Sequence, residues 1–179
     1  ASYERYGITH FDFVDLNLGS ERLFLEELAL KIKNSPIPFS WAIPIGTRAE
    51  GLDEKLIKVL AESGLQRVLF SPESNSKQTQ EFINKHYNLK HFLRVARACV
   101  KEGIIVKIAF VIGFPEQRKT DLWQNVKLAL KLACLGIHDV VSLIFIPYPG
   151  SVLFHQLNVS YDYRFPDNNL HLNSDLKMA

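Results

Sequence analysis

The stretch NLKHFLRVARACVKEGIIVKIAFVIGF, Asn88 to Phe114, decides the fold. Its first half sets Phe92, Val95, Ala96, Cys99 and Val100 at the three- and four-residue intervals of one helix face. Asn88 stands where an N-cap stands, with a side-chain oxygen able to accept a free first-turn N–H. Gly103 closes the helix at the left-handed position that glycine occupies without a steric cost. Ile104–Ile112 then runs almost unbroken in apolar residues, as a strand buried on both faces does. Helix, glycine and buried strand in that order make the repeating unit of a parallel sheet covered by helices.

The same unit recurs on both sides of that stretch. Ile8–Val14, Phe39–Ile45, Arg67–Phe70 and Val140–Ile146 read as four further strands. Between them lie three helical stripes: Leu25, Leu28, Ala29 and Ile32; Leu56, Ile57, Leu60 and Ala61; and Leu122, Val126, Ala129, Leu130 and Ala133. Ser20, Asp53 and Thr120 take N-cap positions, and Gly64 and Gly136 closing positions. Five strands are too few for a closed (β/α)₈ barrel, which needs about 250 residues. A doubly wound sheet would carry a glycine-rich first turn, and the sequence has none. The expected fold is therefore α/β: five parallel strands with covering helices, forming a TIM-type partial barrel that lacks its first βα unit. It spans residues 1–157. Residues 158–179 are polar and Asn/Asp-rich, and read as an irregular tail.

Composition narrows the function classes. Apolar residues make up 47% and charged residues 22% of the 179, close to a globular average. The 21 basic and 19 acidic side chains leave a net charge of +2, which gives no footprint for nucleic acid or an anionic membrane. No apolar window is long enough to span a bilayer, and the N-terminus lacks the order of a signal peptide, so a cytoplasmic protein is expected. Cys99 and Cys134 are too few for a disulfide framework or a complete metal site, and both read as small core residues. The six histidines share no metal-ligand spacing, and neither a nucleophile elbow nor a phosphate-cradling loop occurs.

In α/β barrels chemistry sits at the C-terminal strand ends. Those ends here carry Asp15 and Asn17, then Arg48, then Ser71-Pro72-Glu73-Ser74, then Gly113-Phe114-Pro115-Glu116, then Pro147-Tyr148-Pro149-Gly150. Each has a plainer reading: Asp15 could cap the next helix, Arg48 could be a solvated charge, and Glu73 could answer a helix dipole. Gly113 and Pro115 could be turn chemistry alone. Together the ends could hold a polar ligand with an amine, a ribose and a carboxylate.

Taken in order, they resemble the radical S-adenosylmethionine superfamily, in the branch of cobalamin-binding, Elongator-like and methylthiotransferase cores. The segment from Tyr6-Gly7-Ile8 to Asp15 resembles that family's second strand, and Thr47-Arg48-Ala49-Glu50-Gly51-Leu52-Asp53 its third-strand segment. Ser71-Pro72-Glu73-Ser74 is similar to its fourth-strand Glu-Ser motif, with Ser-Pro where relatives carry glycine and an apolar residue. Ile112-Gly113-Phe114-Pro115-Glu116, followed by Thr120 and Asp121, is similar to the fifth-strand Gly-Leu-Pro-Gly-Glu-Thr motif, altered at Gln117-Arg118-Lys119. Pro147-Tyr148-Pro149-Gly150-Ser151 is similar to the sixth-strand Pro-Tyr-Pro-Gly-Thr motif.

The resemblance implies a (β/α)₆ partial barrel whose first strand, with the C-x₃-C-x₂-C loop that holds a [4Fe–4S] cluster, is not in this chain. It implies S-adenosylmethionine as cofactor and cobalamin as a possible second one in the parent protein, which would cleave S-adenosylmethionine reductively to start radical chemistry. Arg48, Glu73 and Ser74 would contact its amino acid or ribose part, Asp15 its methionyl amine, and Gly113 and Pro115 its adenine. Glu116, Pro147 and Tyr148 would shape the rim. Without the cluster cysteines this chain alone is expected to be inactive. Its open first edge is expected to drive self-association or to be covered by the tail. Two other readings stand beside this one: a non-catalytic packing or interaction module, and an unrelated TIM-barrel lyase or isomerase with Asp15 as base and Arg48 as anion clamp.

Overall fold

Alternating helix and strand periodicities are realised as five parallel strands in the sheet order β1-β2-β3-β4-β5. The computed structural model describes residues 2–15, 18–115 and 117–157. The strands are β1 (His10–Asp12), β2 (Ser40–Thr47), β3 (Leu65–Glu73), β4 (Ile105–Ile112) and β5 (Asp139–Ile144). The helices are α1 (Ser2–Tyr6), α2 (Arg22–Lys33), α3 (Glu54–Glu62), α4 (Lys77–Phe82), α5 (Leu89–Lys101), α6 (Lys119–Cys134) and α7 (Val152–Gln156), with a 3₁₀ turn at Leu18–Ser20. Strand order equals chain order and every pairing is parallel. That is the wall of an α/β barrel, and among the described residues it is not closed.

One face of the sheet is covered by helices. Ile43, Val68 and Val106 lie in one row across it, and Phe70, Ile108 and Val140 in another. Leu25 of α2, Leu56, Ile57 and Leu60 of α3, and Phe92, Val95 and Cys99 of α5 pack into the same core. Burial of each such side chain is worth roughly 1.5–3 kcal/mol. Asp12, Ala42, Arg67 and Ile105 form a row of alternate residues, out of phase with the helix-covered rows. Arg67 pairs there with Asp12 at 3.5 Å, and Lys107 with Asp139 at 2.9 Å.

Several local expectations are corrected. The first strand is three residues long, not Ile8–Val14, and the chain before Gly7 is helical. As an edge element with all three residues exposed, it has no second neighbour among the described residues to extend its ladder. Asp53 and Asn88 do cap α3 and α5, accepting from Leu56 and His91. Ser20 does not cap α2, because the 3₁₀ turn shifts the N-cap to Glu21. Thr120 does not cap α6; the helix starts earlier, and Asp121 at its third position takes the Arg118 N–H instead. Three short helices, α1, α4 and α7, carry no strong period and were not expected. The irregular tail expected at 158–179 lies outside the described residues.

The largest correction is the face of α6. Leu122, Val126 and Leu130 are 36–63% exposed, whereas Asp121, Asn125, Leu128 and Leu132 are buried. Both rows have helical spacing, so periodicity cannot choose between them. The buried row includes two polar residues, and both are hydrogen-bonded to the loop after β3. Cys134 is exposed for the same reason, while Cys99 is buried as expected.

Candidate functional site

Parallel strands deliver their C-terminal ends to one side, so Asp15, Arg48, Glu73, Gly113 and Pro147 all belong to the same rim. The rim is irregular where it matters. From Ile43 to Thr47, β2 advances four positions while β3 advances two, and from Phe70 to Glu73, β3 advances three while β4 advances two. Such bulges bend a strand and re-aim its side chains. Pro72, which has no ladder N–H, sits inside the second one, where a central strand tolerates it. Glu73 completes that bulge with φ +61, a left-handed conformation uncommon outside glycine.

The Glu73 carboxylate is held by Lys85, whose Nζ donates to Oε1 at 2.6 Å. The two side chains are only 21% and 28% exposed. Every other described ion pair has both partners more than a third exposed. Asn84, the neighbour of Lys85, is the second non-glycine residue with positive φ among the described residues, at 51°. Lys85 also lines a small open cleft of about 20 Å³, to which Arg48 contributes as well. The floor of the cleft is aromatic: the Tyr87 and Phe92 rings lie 5.5 Å apart, and those of Phe70 and Phe92 6.0 Å. Burial pushes the Tyr87 hydroxyl well above the usual phenol range, and it donates to Asn75 Oδ1 at 3.0 Å. Arg48 donates to Glu50 at 3.0 Å and to the His86 carbonyl at 3.2 Å, so the guanidinium is anchored at the mouth.

The remaining expected residues are placed as follows. Asp15 follows β1 and is exposed. Ser74 is fully buried, its hydroxyl 3.1 Å from Asn125 Oδ1 and its carbonyl accepting from Gln80, so it does not line the cleft. Gly113 has φ +86 and its N–H donates to Gln117 Oε1 at 2.7 Å. A Cβ there would meet nothing within 4 Å, so the glycine answers conformation rather than space. Pro115 is half-buried beside Phe114, whose ring meets Phe82 and Phe145. Pro147 is buried and Tyr148 is 74% exposed. Glu116 lies outside the described residues. The structure thus brings together Arg48, Glu73 and the loop before α5, while Gly113 and Pro115 lie on the neighbouring loop.

The reading of the sequence missed Lys85, Tyr87 and Asn125, and gave Asp121 no role beyond its place after the fifth-strand motif. For the first two a signal existed. A helix after a parallel strand begins at the strand's C-terminal side, so charged residues just before the capping Asn88 had to sit at the rim. The burial of Asp121 and Asn125 gave no signal, because polar residues on a helix normally face water.

The radical SAM superfamily profile matches residues 8–129. An uncharacterized methyltransferase of Pyrococcus horikoshii is 29% identical over 149 residues, covering 83% of this chain and 31% of its own length. The cytidylyl-2-hydroxyethylphosphonate methyltransferase of Streptomyces wedmorensis is 34% identical over 116 residues, covering 63% of this chain and 21% of its own. This chain therefore spans a third or less of those relatives. Among solved structures, the radical S-adenosylmethionine methyltransferase TsrM of Kitasatospora setae, with cobalamin and a [4Fe–4S] cluster bound, superposes with a TM-score of 0.66. The match is at 15% identity and covers 80% of this chain and 27% of TsrM, so it shows the fold alone. With the profile spanning more than half of the chain and the strand order of that fold present, the chain belongs to the radical S-adenosylmethionine superfamily.

Proposed function

We propose that the rim around Arg48, Glu73 and Lys85 holds S-adenosylmethionine in a radical enzyme. The observation that carries this reading is the cleft itself: two cations on its walls, a carboxylate held in a left-handed bulge beside it, and an aromatic floor. Arg48 and Lys85 suit the carboxylate of the methionyl part. Glu73 and Asp15 suit its ammonium or the ribose hydroxyls, with Ser74 supporting Glu73 from behind. Gly113 and Pro115 suit the adenine, and Pro147 and Tyr148 border it. Bound beside a reduced [4Fe–4S] cluster, S-adenosylmethionine supplies one-electron chemistry that the protein directs by placement and exclusion of water.

The cluster does not fit this chain's own residues. Such clusters are held by thiolates. The sequence has two cysteines, of which Cys99 is fully buried on α5, its thiol pushed up to about 12 by burial. Among the described residues no group of three His, Cys, Asp or Glu could hold a metal. The names of the two relatives support methyl transfer as the whole protein's reaction, and the cobalamin of TsrM supports a corrinoid as its second cofactor. Among the described residues no helix is long and apolar enough to cross a membrane. The exposed free thiol of Cys134 supports a reducing, cytoplasmic setting. The exposed β1 edge supports self-association of the isolated chain.

Calorimetric titration of the chain with S-adenosylmethionine tests the reading. Binding that weakens about tenfold, or roughly 1.4 kcal/mol, in each of Arg48→Ala and Lys85→Ala is expected. An absence of binding by the unaltered chain would refute it.

A further inference from the structure

The loops after β3 and β4 are not independent. Asp121, in the first turn of α6, is buried and receives the Ser76 hydroxyl on Oδ1 at 2.6 Å and the Arg118 N–H on Oδ2 at 2.8 Å. One carboxylate thus ties the loop that follows Glu73 to the loop that follows Gly113. One turn further along, Asn125 Oδ1 takes the Asn75 N–H at 2.7 Å and lies 3.1 Å from the Ser74 hydroxyl, while Ser74 Oγ accepts the Ser76 N–H at 3.1 Å. The Ser74, Ser76, Asp121 and Asn125 side chains are almost entirely withdrawn from water, where an unmet polar atom is costly. The segment they hold begins at Glu73, whose left-handed backbone persists only if its surroundings over-determine it.

We infer that Asp121 and Asn125 are positioning residues that lock the β3-end and β4-end loops into one unit and so set the Glu73 carboxylate. The inference rests on the proposed S-adenosylmethionine site for its consequence, but the coupling of the loops can be read without ligand. The Asp121 carboxylate acts here as a bridge between two donors rather than as a charge. In Asp121→Asn the amide oxygen can keep the Arg118 N–H while its NH₂ donates to Ser76 Oγ, which still has a lone pair beside the Thr79 N–H it accepts. The bridge survives without its charge. Asp121→Ala removes it.

The experiment combines calorimetric titration with S-adenosylmethionine and hydrogen–deuterium exchange of the free protein. Asp121→Ala is expected to lower affinity about tenfold, equal to roughly 1.4 kcal/mol, and to speed amide exchange both at 74–79 and at 113–118. Asp121→Asn is expected to restore both readouts. Ser63→Ala, which alters a buried hydrogen bond to Trp41 at the other end of the sheet, is expected to lower the melting temperature without changing either. If Asp121→Ala fails to fold, Ser76→Ala cuts the same bridge from the opposite side.

Faster exchange in only one loop overturns the inference. So does equal loss in Asp121→Asn and Asp121→Ala, or a Ser63→Ala effect as large as that of Asp121→Ala. If the unaltered chain binds no S-adenosylmethionine, the proposed function fails and the exchange data alone decide the coupling.

Discussion

At Glu73 the backbone and the side chain want different residues. Its φ of +61 costs an L-residue about 1–2 kcal/mol relative to glycine, whereas its carboxylate gains the Lys85 contact. An ion pair this close to water is worth on the order of 1 kcal/mol or less. Glu73→Gly is therefore expected to leave stability within about 1 kcal/mol in urea unfolding while S-adenosylmethionine affinity falls. Glu73→Val, β-branched at positive φ, is expected to lose about 2 kcal/mol or more. A large stability loss in the glycine variant would show that the ion pair, not function, retains the glutamate. The glutamate was legible in the sequence because it ends a strand in a recognisable motif. Its partner was not, since Lys85 lies twelve residues on and only folding brings the two together.

Among the elements, α3 and α5 were legible down to their caps because their apolar residues occupy one face each. The α6 helix was not, because it is apolar on two faces and a hydrogen-bonding requirement decides which is buried. Leu132→Ala, at a fully buried position, is expected to cost about 2–5 kcal/mol, against less than about 0.5 kcal/mol for Leu130→Ala. The reverse order in thermal melts would return α6 to the expected face. The cap of α3 sets an acid limit. The Arg22 guanidinium beside Asp53, followed by the Leu56 N–H, holds that carboxyl below its ordinary 3.8. A depressed carboxylate contributes stability above its unfolded value and loses it as pH falls through the folded one. Stability measured from about pH 5 down to pH 2 is expected to drop less steeply in Asp53→Asn, which keeps a capping oxygen without the charge. Parallel slopes would refute that assignment.

For the whole molecule, counting strands and reading their ends was enough to find the architecture and the family. What the sequence concealed is how little the first strand contributes: three exposed residues that, among the described residues, pair on one side only. The isolated chain is expected to elute as a dimer or larger species in sizing experiments. Phe11→Lys, at an edge residue 36% exposed, is expected to shift it toward monomer. A monomeric unaltered chain would show that the open edge is tolerated.

The two tryptophans sit in opposite surroundings. Trp41 is fully buried, donates to the Ser63 carbonyl at 3.2 Å and meets the Phe13 ring just beyond β1 at 5.4 Å. Trp123 is 64% exposed on the outer face of α6. Intrinsic emission should therefore split into a blue-shifted component shielded from iodide and a red-shifted one open to quenching. Replacing Trp123 by phenylalanine would leave Trp41 as a lone optical reporter for detachment of the edge strand, at a wavelength no added label is needed to reach.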